Sequence, residues 1–263
     1  RLSRVLATQP VDVVHAHTRV AQVVAEWLWR QRGVPYVTTW HGFYRRRLGR
    51  RLWPCTGHVT MAISQPVARH LEEVFGLPPE RVRLIPHGVD VTRFSARPDP
   101  TTMAAFRARV HLEANGPVVG TVARLVRAKG VEQLIAGFDA VHTQLPQARL
   151  LVVGDGDDRA RLTQLATDLG LAEAVRFVGS IEDTRLALAL MDVFVFMPAV
   201  QEGFGLSLLE AMASGLPVVG VRRGGGSSWV LEDSRAGVLV EPEDPAALGE
   251  AVVRLLQDPG YAQ

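Results

Sequence analysis

Residues 202–215 combine two carboxylates with a glycine-rich turn, a pattern suited to binding a phosphate that carries sugar rings. They read E-G-F-G-L-S-L-L-E-A-M-A-S-G and follow the apolar run 193–197, which predicts a strand, a loop and the start of a helix. Backbone N–H groups at a helix N-terminus attract phosphate, and the carboxylates of Glu202 and Glu210 accept hydrogen bonds from hydroxyls. Two solvated glutamates in a surface loop are the alternative interpretation of this segment alone.

Two cations stand five positions apart after the apolar run 118–122. Arg124 and Lys129 lie in R-L-V-R-A-K-G, a loop that we expect to open a helix. Together they can clamp a diphosphate, the arginine through its planar fork and the lysine as a compact charge. Lys129 is the single lysine among the 29 cationic residues, which favours a specific role over the alternative of a solvated basic loop.

Two more turns follow predicted strands. Gly154 lies in G-D-G, where the lack of a side chain allows close backbone approach to a ligand, although a tight turn explains it equally well. Val178 and Gly179 lie in F-V-G-S, whose backbone groups can meet a nucleobase edge or simply end a strand.

The elements that position these residues alternate between strands and helices along the whole chain. In the first part, helical stretches separate short apolar runs, which predicts a parallel sheet with crossover helices. The runs are 11–14, 34–38, 59–63 and 82–85, and the helical stretches include 20–31 and 65–75. Residues 95–100, S-A-R-P-D-P, read as a linker because two prolines interrupt both periodicities.

A second series of six strands follows the linker and predicts a doubly wound, Rossmann-like domain. Its predicted strands are 118–122, 150–153, 175–178, 193–197, 218–221 and 238–240, and its predicted helices are 132–145, 158–169, 184–190, 206–213 and 245–256. We therefore predict an α/β protein with one domain at residues 1–98 and another at 99–263. Ligands of such sheets bind beyond the carboxyl ends of the strands, where the residues described above lie.

Composition narrows the class of protein. Of 263 residues 47% are hydrophobic, and no apolar run approaches the roughly 20 residues of a membrane span. A single cysteine, Cys55, excludes internal disulfides, and no leader precedes Arg1, so we expect a cytoplasmic setting.

Residues 1–100 carry 15 cationic and 7 acidic side chains, a net +8, whereas residues 101–263 carry a net −6. The two parts are expected to face different partners.

The motifs, taken in order, resemble the retaining family-4 glycosyltransferases of the GT-B fold. R-L-x-x-x-K-G, V-V-G-D-G, R-F-V-G-S and E-G-F-G-L-S-L-L-E-A-M-A-S-G-L-P-V-V are similar to that family's donor domain. D-V-V-H-A-H, V-T-T-W-H-G, A-I-S and I-P-H-G-V-D in residues 12–90 are similar to its acceptor domain. Each motif alone is weak, but the ordered set is specific and spans almost the whole chain.

The resemblance implies two Rossmann-like domains and transfer of a hexose-type sugar from a nucleoside-diphosphate sugar to a hydroxyl acceptor. It assigns catalytic roles to His41, Arg124, Lys129 and Glu202, and donor binding to Gly154, Val178, Gly179, Gly203, Phe204, Gly205, Leu206 and Glu210. The two cations would hold the diphosphate and stabilise the leaving nucleotide, so neither a metal nor a cofactor is expected. Glu210 would accept from the ribose hydroxyls, and Glu202 would lie beside the transferred sugar.

Retention of configuration leaves two routes open. A covalent route needs a carboxylate on the far face of the sugar, whereas in a same-face route the departing phosphate takes the acceptor's proton. We favour the second, in which Glu202 positions and stabilises without acting as the nucleophile. Without the resemblance, His41 is equally well explained as an ordinary buried histidine.

Some features depart from the family pattern. The family's glycine-rich first loop and its closing helix are not found, so the acceptor-side domain is expected to be incomplete, and Trp229 stands where the family has a glutamate. A non-catalytic or truncated nucleotide-sugar-binding protein is therefore an alternative. A GT-B-type nucleotide-sugar epimerase is a further alternative, disfavoured because such enzymes carry different acidic and histidine patterns.

Two further clusters suggest partners. The basic surplus centres on Arg45, Arg46, Arg47, Arg50 and Arg51. It predicts a peripheral contact with the inner membrane face or a phosphorylated, lipid-linked acceptor, with a solvated face as the alternative. Nucleic acid is not expected, because no known binding module accompanies the cluster.

His15 and His17 are spaced to share a strand face, but no carboxylate or cysteine stands nearby to complete a metal site.

Overall fold

A computed structural model describes residues 11–112 and 116–262 and shows two fully parallel sheets. The chain divides into two compact units, the first comprising Arg1–His87 with Glu202–Phe204, and the second Gly88–Gln201 with Gly205–Gln263. The boundary predicted between residues 98 and 99 stays a prediction.

The first unit is a four-stranded sheet in the order β1, β2, β3, β4, flanked by helices. Its strands are β1 Val14–Ala16, β2 Tyr36–Trp40, β3 Val59–Ala62 and β4 Val82–Leu84. Its helices are α1 Arg19–Arg32, α2 Leu48–Leu52 and α3 Gln65–Phe75, and a 3₁₀ turn covers Pro79–Arg81. In register, Ala16 lies opposite Thr38, and Thr38 opposite Thr60.

Local sequence signals explain where these helices begin and end. The Thr18 side chain accepts a hydrogen bond from Ala21 N at the start of α1, and Gly33 ends that helix in the left-handed conformation at φ +70°. Ser64 caps α3 in the same way, and that helix spans the residues predicted for it. The core of the unit is built on Tyr36, Trp40, Leu28 and Leu71, each at most 2% exposed.

The first strand lies later in the chain than its apolar run predicts. The prediction placed it at residues 11–14, but β1 runs from Val14 to Ala16. Val11 and Val13 are 39% and 53% exposed. Pairing decides the position, because Val14 is the residue that lies opposite Tyr36 of β2.

The second unit is a six-stranded sheet in the order β10, β9, β8, β5, β6, β7. Its strands are β5 Val118–Val122, β6 Arg149–Val153, β7 Val175–Gly179, β8 Val193–Phe196, β9 Val218–Val221 and β10 Val238–Val240. Its helices are α4 Val91–Ser95, α5 Pro100–Arg109, α6 Val131–Gln144, α7 Arg159–Asp168, α8 Thr184–Leu188, α9 Leu206–Ala213, α10 Gly226–Ser234, α11 Pro245–Gln257 and α12 Pro259–Ala262. This is the doubly wound Rossmann order, whose direction reverses between β5 and β8.

The core of the second unit lies between this sheet and its helices. Phe138 of α6, Leu150 of β6, Val195 of β8 and Val252 of α11 are each at most 1% exposed and belong to one apolar cluster. The near-continuous apolar strands are those expected of a parallel sheet covered on both faces.

The linker predicted at residues 95–100 is shorter in the structure. Only residues 96–99 separate α4 from α5. Asp99 caps α5 by accepting from Thr102 N at 2.9 Å, and Pro100 supplies a preset helical φ. The same Asp-Pro pair that looked like a helix breaker is therefore a helix start. Across the described ranges, no helix is both long and apolar enough to cross a bilayer.

Candidate functional site

The loops after β5 and β6 are tied together by backbone contacts. Leu125 N donates to Asp155 O at 2.9 Å, and Asp158 N donates to Leu125 O at 3.0 Å. Gly154 has φ +128°, and a Cβ at this position would overlap the Ala123 carbonyl oxygen. Both the positive φ and the lack of room for a side chain therefore require glycine at this position. In the structure its backbone lies close to the loop after β5.

The loop after β5 also docks on the segment after β8. A 3₁₀ turn, Arg127–Lys129, leads into Gly130 at φ +65°, the residue before α6. A Cβ on Gly130 would overlap the Met197 carbonyl oxygen. Ala199 N donates to Ala128 O at 3.0 Å. The two predicted cations thus stand on a turn held by its neighbours, with Arg124 exposed and Lys129 half-buried.

Strand β7 carries an irregularity at the predicted base-binding position. Val152 lies opposite Phe177 and Val153 opposite Gly179, so Val178 is skipped in the pairing with β6. Such a bulge leaves the backbone of the extra residue outside the strand ladder. Gly154 N donates to Gly179 O at 2.9 Å, which ties the strand end to the β6 loop.

A cleft of about 690 Å³ opens beside this bulge. Its lining includes Val178, Ser180, Ile181 and Glu182 from the strand end and the loop after it, and Arg176 from the strand itself. The volume falls in the range of small-molecule sites, and the mixture of apolar and charged groups suits a ring system with polar edges.

Helix α9 begins directly at the predicted sugar-phosphate turn. Gly205, at φ +104°, is its N-cap and provides no side chain to bind the first amides. Those amides have no partner within the helix itself, so the helix N-terminus at Leu206 offers backbone donors and a positive dipole end. Gly205 packs on Phe196 of β8, since a Cβ there would lie 3.1 Å from the ring.

Glu210 lies on the second turn of α9 and is half-buried. Burial raises the pKa of its carboxyl, while a hydrogen bond from Thr184 and the charge of Arg93 act in the opposite direction. Thr184 Oγ1 donates to Glu210 Oε2 at 3.3 Å. One carboxylate oxygen is thus oriented by α8, and the group is well suited to accept from a ligand hydroxyl.

Together these contacts place the eight predicted residues of the second unit along one edge of its sheet. The β7 end touches the β6 loop, the β6 loop touches the β5 loop, and the β5 loop touches the segment after β8, from which α9 is reached. The eight residues are Arg124, Lys129, Gly154, Val178, Gly179, Gly205, Leu206 and Glu210. Sequence reasoning missed Thr184, whose partner is 26 positions away.

The first unit contains a row of histidines that includes His41. His17 Nδ1 lies 3.0 Å from His41 Nε2, and His15 Nε2 lies 2.7 Å from Thr39 Oγ1. The rings of His41 and His87 stack with centroids 5.6 Å apart. His87 stands in I-P-H-G-V-D, the motif that could have drawn attention to it.

Two histidines of the row, His41 and His15, favour the neutral imidazole. Burial lowers the pKa of His41, and the neighbouring histidines His17, His87 and His15 lower it further. Burial and then His17 lower the pKa of His15. Among the described residues, no group of three or more His, Cys, Asp or Glu side chains is arranged to hold a metal ion.

The other predicted residues of the first unit belong to Glu202–Phe204. A Cβ on Gly203 would overlap the His41 carbonyl oxygen, so this glycine permits close backbone approach. The Phe204 ring meets His87 edge-on, with centroids 5.5 Å apart. Glu202 is half-buried.

The arginine cluster of the first unit lies on and before α2. Arg45, Arg46, Arg47 and Arg51 are exposed, as the sequence predicts, but Arg50 is half-buried. Beside them Leu48 is 70% exposed and Leu52 75% exposed. The surface is therefore both basic and apolar.

The chain matches two family models over most of its length. Residues 116–258 match the family described as Glycosyl transferases group 1, and residues 1–93 match Glycosyltransferase Family 4.

Two curated relatives illustrate the similarity. The chain is 36% identical to a GDP-mannose-dependent alpha-(1-6)-phosphatidylinositol monomannoside mannosyltransferase of Mycolicibacterium smegmatis, over 78% of this chain and 54% of the relative. It is 32% identical to a D-inositol 3-phosphate glycosyltransferase of Acidothermus cellulolyticus, over 95% of this chain and 60% of the relative. The chain therefore spans little more than half the length of these relatives.

Solved structures give the same fold. HepE of Anabaena in complex with UDP and glucose has a TM-score of 0.88 and 25% identity, covering 99% of this chain and 73% of that one. Sucrose-phosphate synthase of Thermosynechococcus elongatus has a TM-score of 0.83 and 28% identity, covering 99% of this chain and 68% of that one.

Proposed function

This chain belongs to the glycosyl transferases group 1 family, and on that premise we propose that it is a retaining, metal-independent glycosyltransferase. It moves a hexose-type sugar from a nucleoside-diphosphate sugar to a hydroxyl acceptor. The first unit is the acceptor-side domain and the second is the donor-binding domain.

The observation that carries the proposal is the shared sheet edge of the second unit. A basic turn, a strand bulge with a cleft, a helix N-terminus whose cap residue has no side chain, and a half-buried carboxylate follow one another along it. These are the groups that a nucleoside diphosphate requires: cations and amides for phosphate, a carboxylate for ribose and strand-end backbone groups for the base.

Within this proposal each residue has a role. Arg124 and Lys129 bind the diphosphate and stabilise the negative charge that grows on the leaving nucleotide. Glu210 accepts from the ribose hydroxyls, and the amides at Gly205 and Leu206 meet the phosphates. The backbone around Val178 and Gly179 meets the base, and Gly154 keeps the neighbouring loop close.

The roles of the first-unit residues follow from the resemblance. We assign His41 and Glu202 to the transferred sugar, with Gly203 and Phe204 shaping the turn beside it. Transfer proceeds on one face of the sugar: the departing phosphate oxygen takes the acceptor's proton while an oxocarbenium-like centre forms. Glu202 stabilises this centre and does not form a covalent bond to it.

The acceptor is proposed to be lipid-linked. The basic and apolar surface around α2 suits an anionic bilayer, and one curated relative is named for a phosphatidylinositol monomannoside substrate. We propose that the protein works at the cytoplasmic membrane face through Arg45, Arg46, Arg47 and Arg51, with Leu48 and Leu52 entering the interface.

A thermal-shift panel of UDP, GDP and ADP sugars tests donor binding. A ligand at 100 times its dissociation constant stabilises the fold by about 2.7 kcal/mol, a clear rise in melting temperature. The expected result is stabilisation by one nucleotide class, and a flat response to all three contradicts the proposal.

A transfer assay then separates catalysis from binding alone. The stabilising donor is incubated with the chain and lipid-linked hydroxyl acceptors, and labelled product is counted. Binding without transfer favours the alternative, a non-catalytic nucleotide-sugar-binding protein, whereas a changed sugar without acceptor favours an epimerase.

A further inference from the structure

A cavity of about 450 Å³ lies in the first unit, at the end of the sheet where the strands begin. Its lining comes mainly from the second half of α1 and from residues 52–58, the segment that connects α2 to β3. Tyr36, the first residue of β2, lines the cavity, whereas His41 follows the last residue of that strand. A strand of this length spans about 13 Å, so the cavity is separate from the histidine row.

The wall formed by residues 52–58 is held in a fixed conformation. Arg19 donates to two of its carbonyl oxygens, at 2.7 and 2.9 Å, and Arg81 donates to that of Gly57. Within the same wall Cys55 has φ +51°, a left-handed conformation that is strained for a residue with a side chain. Such strain persists where the surrounding contacts enforce it, and it is concentrated at sites that bind ligands.

Two partly exposed indole rings line the cavity. Trp29 is 41% exposed and Trp53 is 39% exposed. The His58 ring meets Trp29 edge-on, with centroids 5.1 Å apart, and the Arg30 guanidinium carbon lies 5.7 Å from the centre of the Trp53 ring. An indole presents a rigid, broad apolar face, and the C–H face of a sugar ring can pack against it.

The polar groups of the cavity combine a buried carboxylate with two guanidinium groups. The Glu26 side chain is 10% exposed and accepts from Arg30 Nε at 2.7 Å and from the Tyr36 hydroxyl. Burial acts to raise the pKa of Glu26, but hydrogen bonds from Tyr36, Arg30 and Trp53 lower it overall. Because a carboxylate has about four acceptor positions, Glu26 can also accept from a ligand hydroxyl. With Arg81, the lining holds two guanidinium groups against one carboxylate.

We propose that this cavity binds a sugar ring that carries an anionic group, either a phosphate or a carboxylate. The ring packs on Trp29, and one of its hydroxyls donates to Glu26. The anion binds the guanidinium groups of Arg30 and Arg81, whose planar forks match both phosphate and carboxylate oxygens. This site is independent of the donor site proposed in the second unit, and its occupation does not depend on sugar transfer.

Calorimetric titration of the full chain identifies the ligand class. The probes are glucose 6-phosphate, glucuronate, glucose and inorganic phosphate, all at constant ionic strength. Glucose 6-phosphate, glucuronate or both should bind at least about 10-fold more tightly than glucose or inorganic phosphate, because each of the latter lacks one part of the ligand. The anionic sugar that binds identifies the anion. The proposal is overturned if neither anionic sugar binds, or if glucose or inorganic phosphate binds as tightly.

A matched pair of tryptophans tests whether the ligand lies in the cavity. Trp29→Leu removes the indole face and is expected to weaken binding of the anionic sugar by about 10-fold. Trp27 lies on the same helix and is 43% exposed, but it is outside the cavity lining. Trp27→Leu is therefore expected to bind as the parent does. Equal affinities of the two variants would contradict the proposal.

Three further variants test the charge and the location of the site. Arg30→Gln, whose amide can still donate to Glu26, should weaken binding by about 10-fold or more. Arg32→Gln, at an exposed position of the same helix, should leave it unchanged. Lys129→Ala should also bind the anionic sugar as the parent does, since loss of binding there would place the ligand in the second unit and overturn the proposal. If Trp29→Leu folds poorly, the comparison of Arg30→Gln with Arg32→Gln decides, and equal affinities of those two variants overturn the proposal.

Discussion

The arginines of the two units have different kinds of interaction partner. In the part of the second unit that the structure describes, six arginines form ion pairs with carboxylates: Arg159, Arg161, Arg176, Arg185, Arg222 and Arg223. In the first unit Arg30 has such a pair, but Arg19, Arg46 and Arg81 donate to backbone carbonyls and Arg50 lies on aromatic rings.

This difference indicates how each unit takes up anions. Within the described residues the second unit pairs six of its 15 arginines with carboxylates. Its candidate site depends on a few residues held by close backbone packing. The first unit carries an uncompensated positive surplus, so its attraction for anions is spread over many side chains and is screened by salt. Single substitutions are therefore expected to have large effects on nucleotide binding at the sheet edge of the second unit. Single substitutions among the exposed arginines of the first unit are expected to change its attraction for anions only slightly.

The largest expected effect comes from a matched pair of glycines. Gly130 and Gly33 have φ +65° and +70°, but a Cβ on Gly130 meets the Met197 carbonyl whereas one on Gly33 meets nothing within 4 Å. Gly33→Ala should cost about 1–2 kcal/mol from the left-handed backbone alone. Gly130→Ala should cost on the order of 3 kcal/mol or more and weaken nucleotide binding. Urea unfolding measures both, and equal losses would contradict the close packing described for the second unit.

The next effect separates two neighbouring arginines. Charged hydrogen bonds contribute about 1.5–3 kcal/mol, so Arg124→Met should weaken binding of the preferred nucleotide sugar on the order of 10- to 100-fold. Arg127→Met, at an exposed position of the same loop, is the control and should change it little. Fluorescence or calorimetric titration measures the ratio, and equal losses would assign the effect to net charge.

A smaller effect is expected at the partner of Glu210. Thr184→Val removes the hydrogen bond that lowers the Glu210 pKa, so this pKa rises further. As the pH falls, Glu210 of the variant therefore becomes protonated at a higher pH than Glu210 of the parent. Nucleotide binding by the variant is expected to weaken at that higher pH. At neutral pH the loss should be about 5-fold, together with weaker discrimination against 2′-deoxyribose. Thr184→Ser should keep the parent profile, and an unchanged profile in Thr184→Val would remove Thr184 from the site.

The smallest effect is expected in the histidine row. The His41 pKa is lowered from 6.5 in the folded protein, so its contribution to stability is present above pH 6.5 and lost as the pH falls through the folded value. His41→Gln should make the unfolding free energy less sensitive to pH below about 6.5, and the change should be small because the His41 side chain is exposed. Denaturant titrations at several pH values measure it, and an unchanged slope would mean that the imidazole is already solvated.

Much of the fold follows from local patterns in the sequence. Residues 65–75 form a helix as predicted, because Ser64 caps it and its apolar face is periodic. Strand Val118–Val122 also lies where its apolar run predicts. By contrast, α5 was missed because its apolar residues lack helical spacing and Asp-Pro reads as a break. The position of β1 was wrong because pairing, not apolarity, determines it.

The candidate site was predictable only in part. Arg124, Gly154 and Gly205 could be chosen as candidates because each lies in a short sequence motif that follows a predicted strand. The bulge at Val178 depends on the register with β6, and the Thr184 contact depends on how α8 meets α9.

The most direct test of the central claim is calorimetry with UDP, GDP and ADP. The parent chain is expected to bind one of them, and Lys129→Ala and Glu210→Ala are each expected to weaken that binding by about 10-fold or more. If both variants bind every nucleoside diphosphate as well as the parent does, the edge of the second sheet is not a donor site.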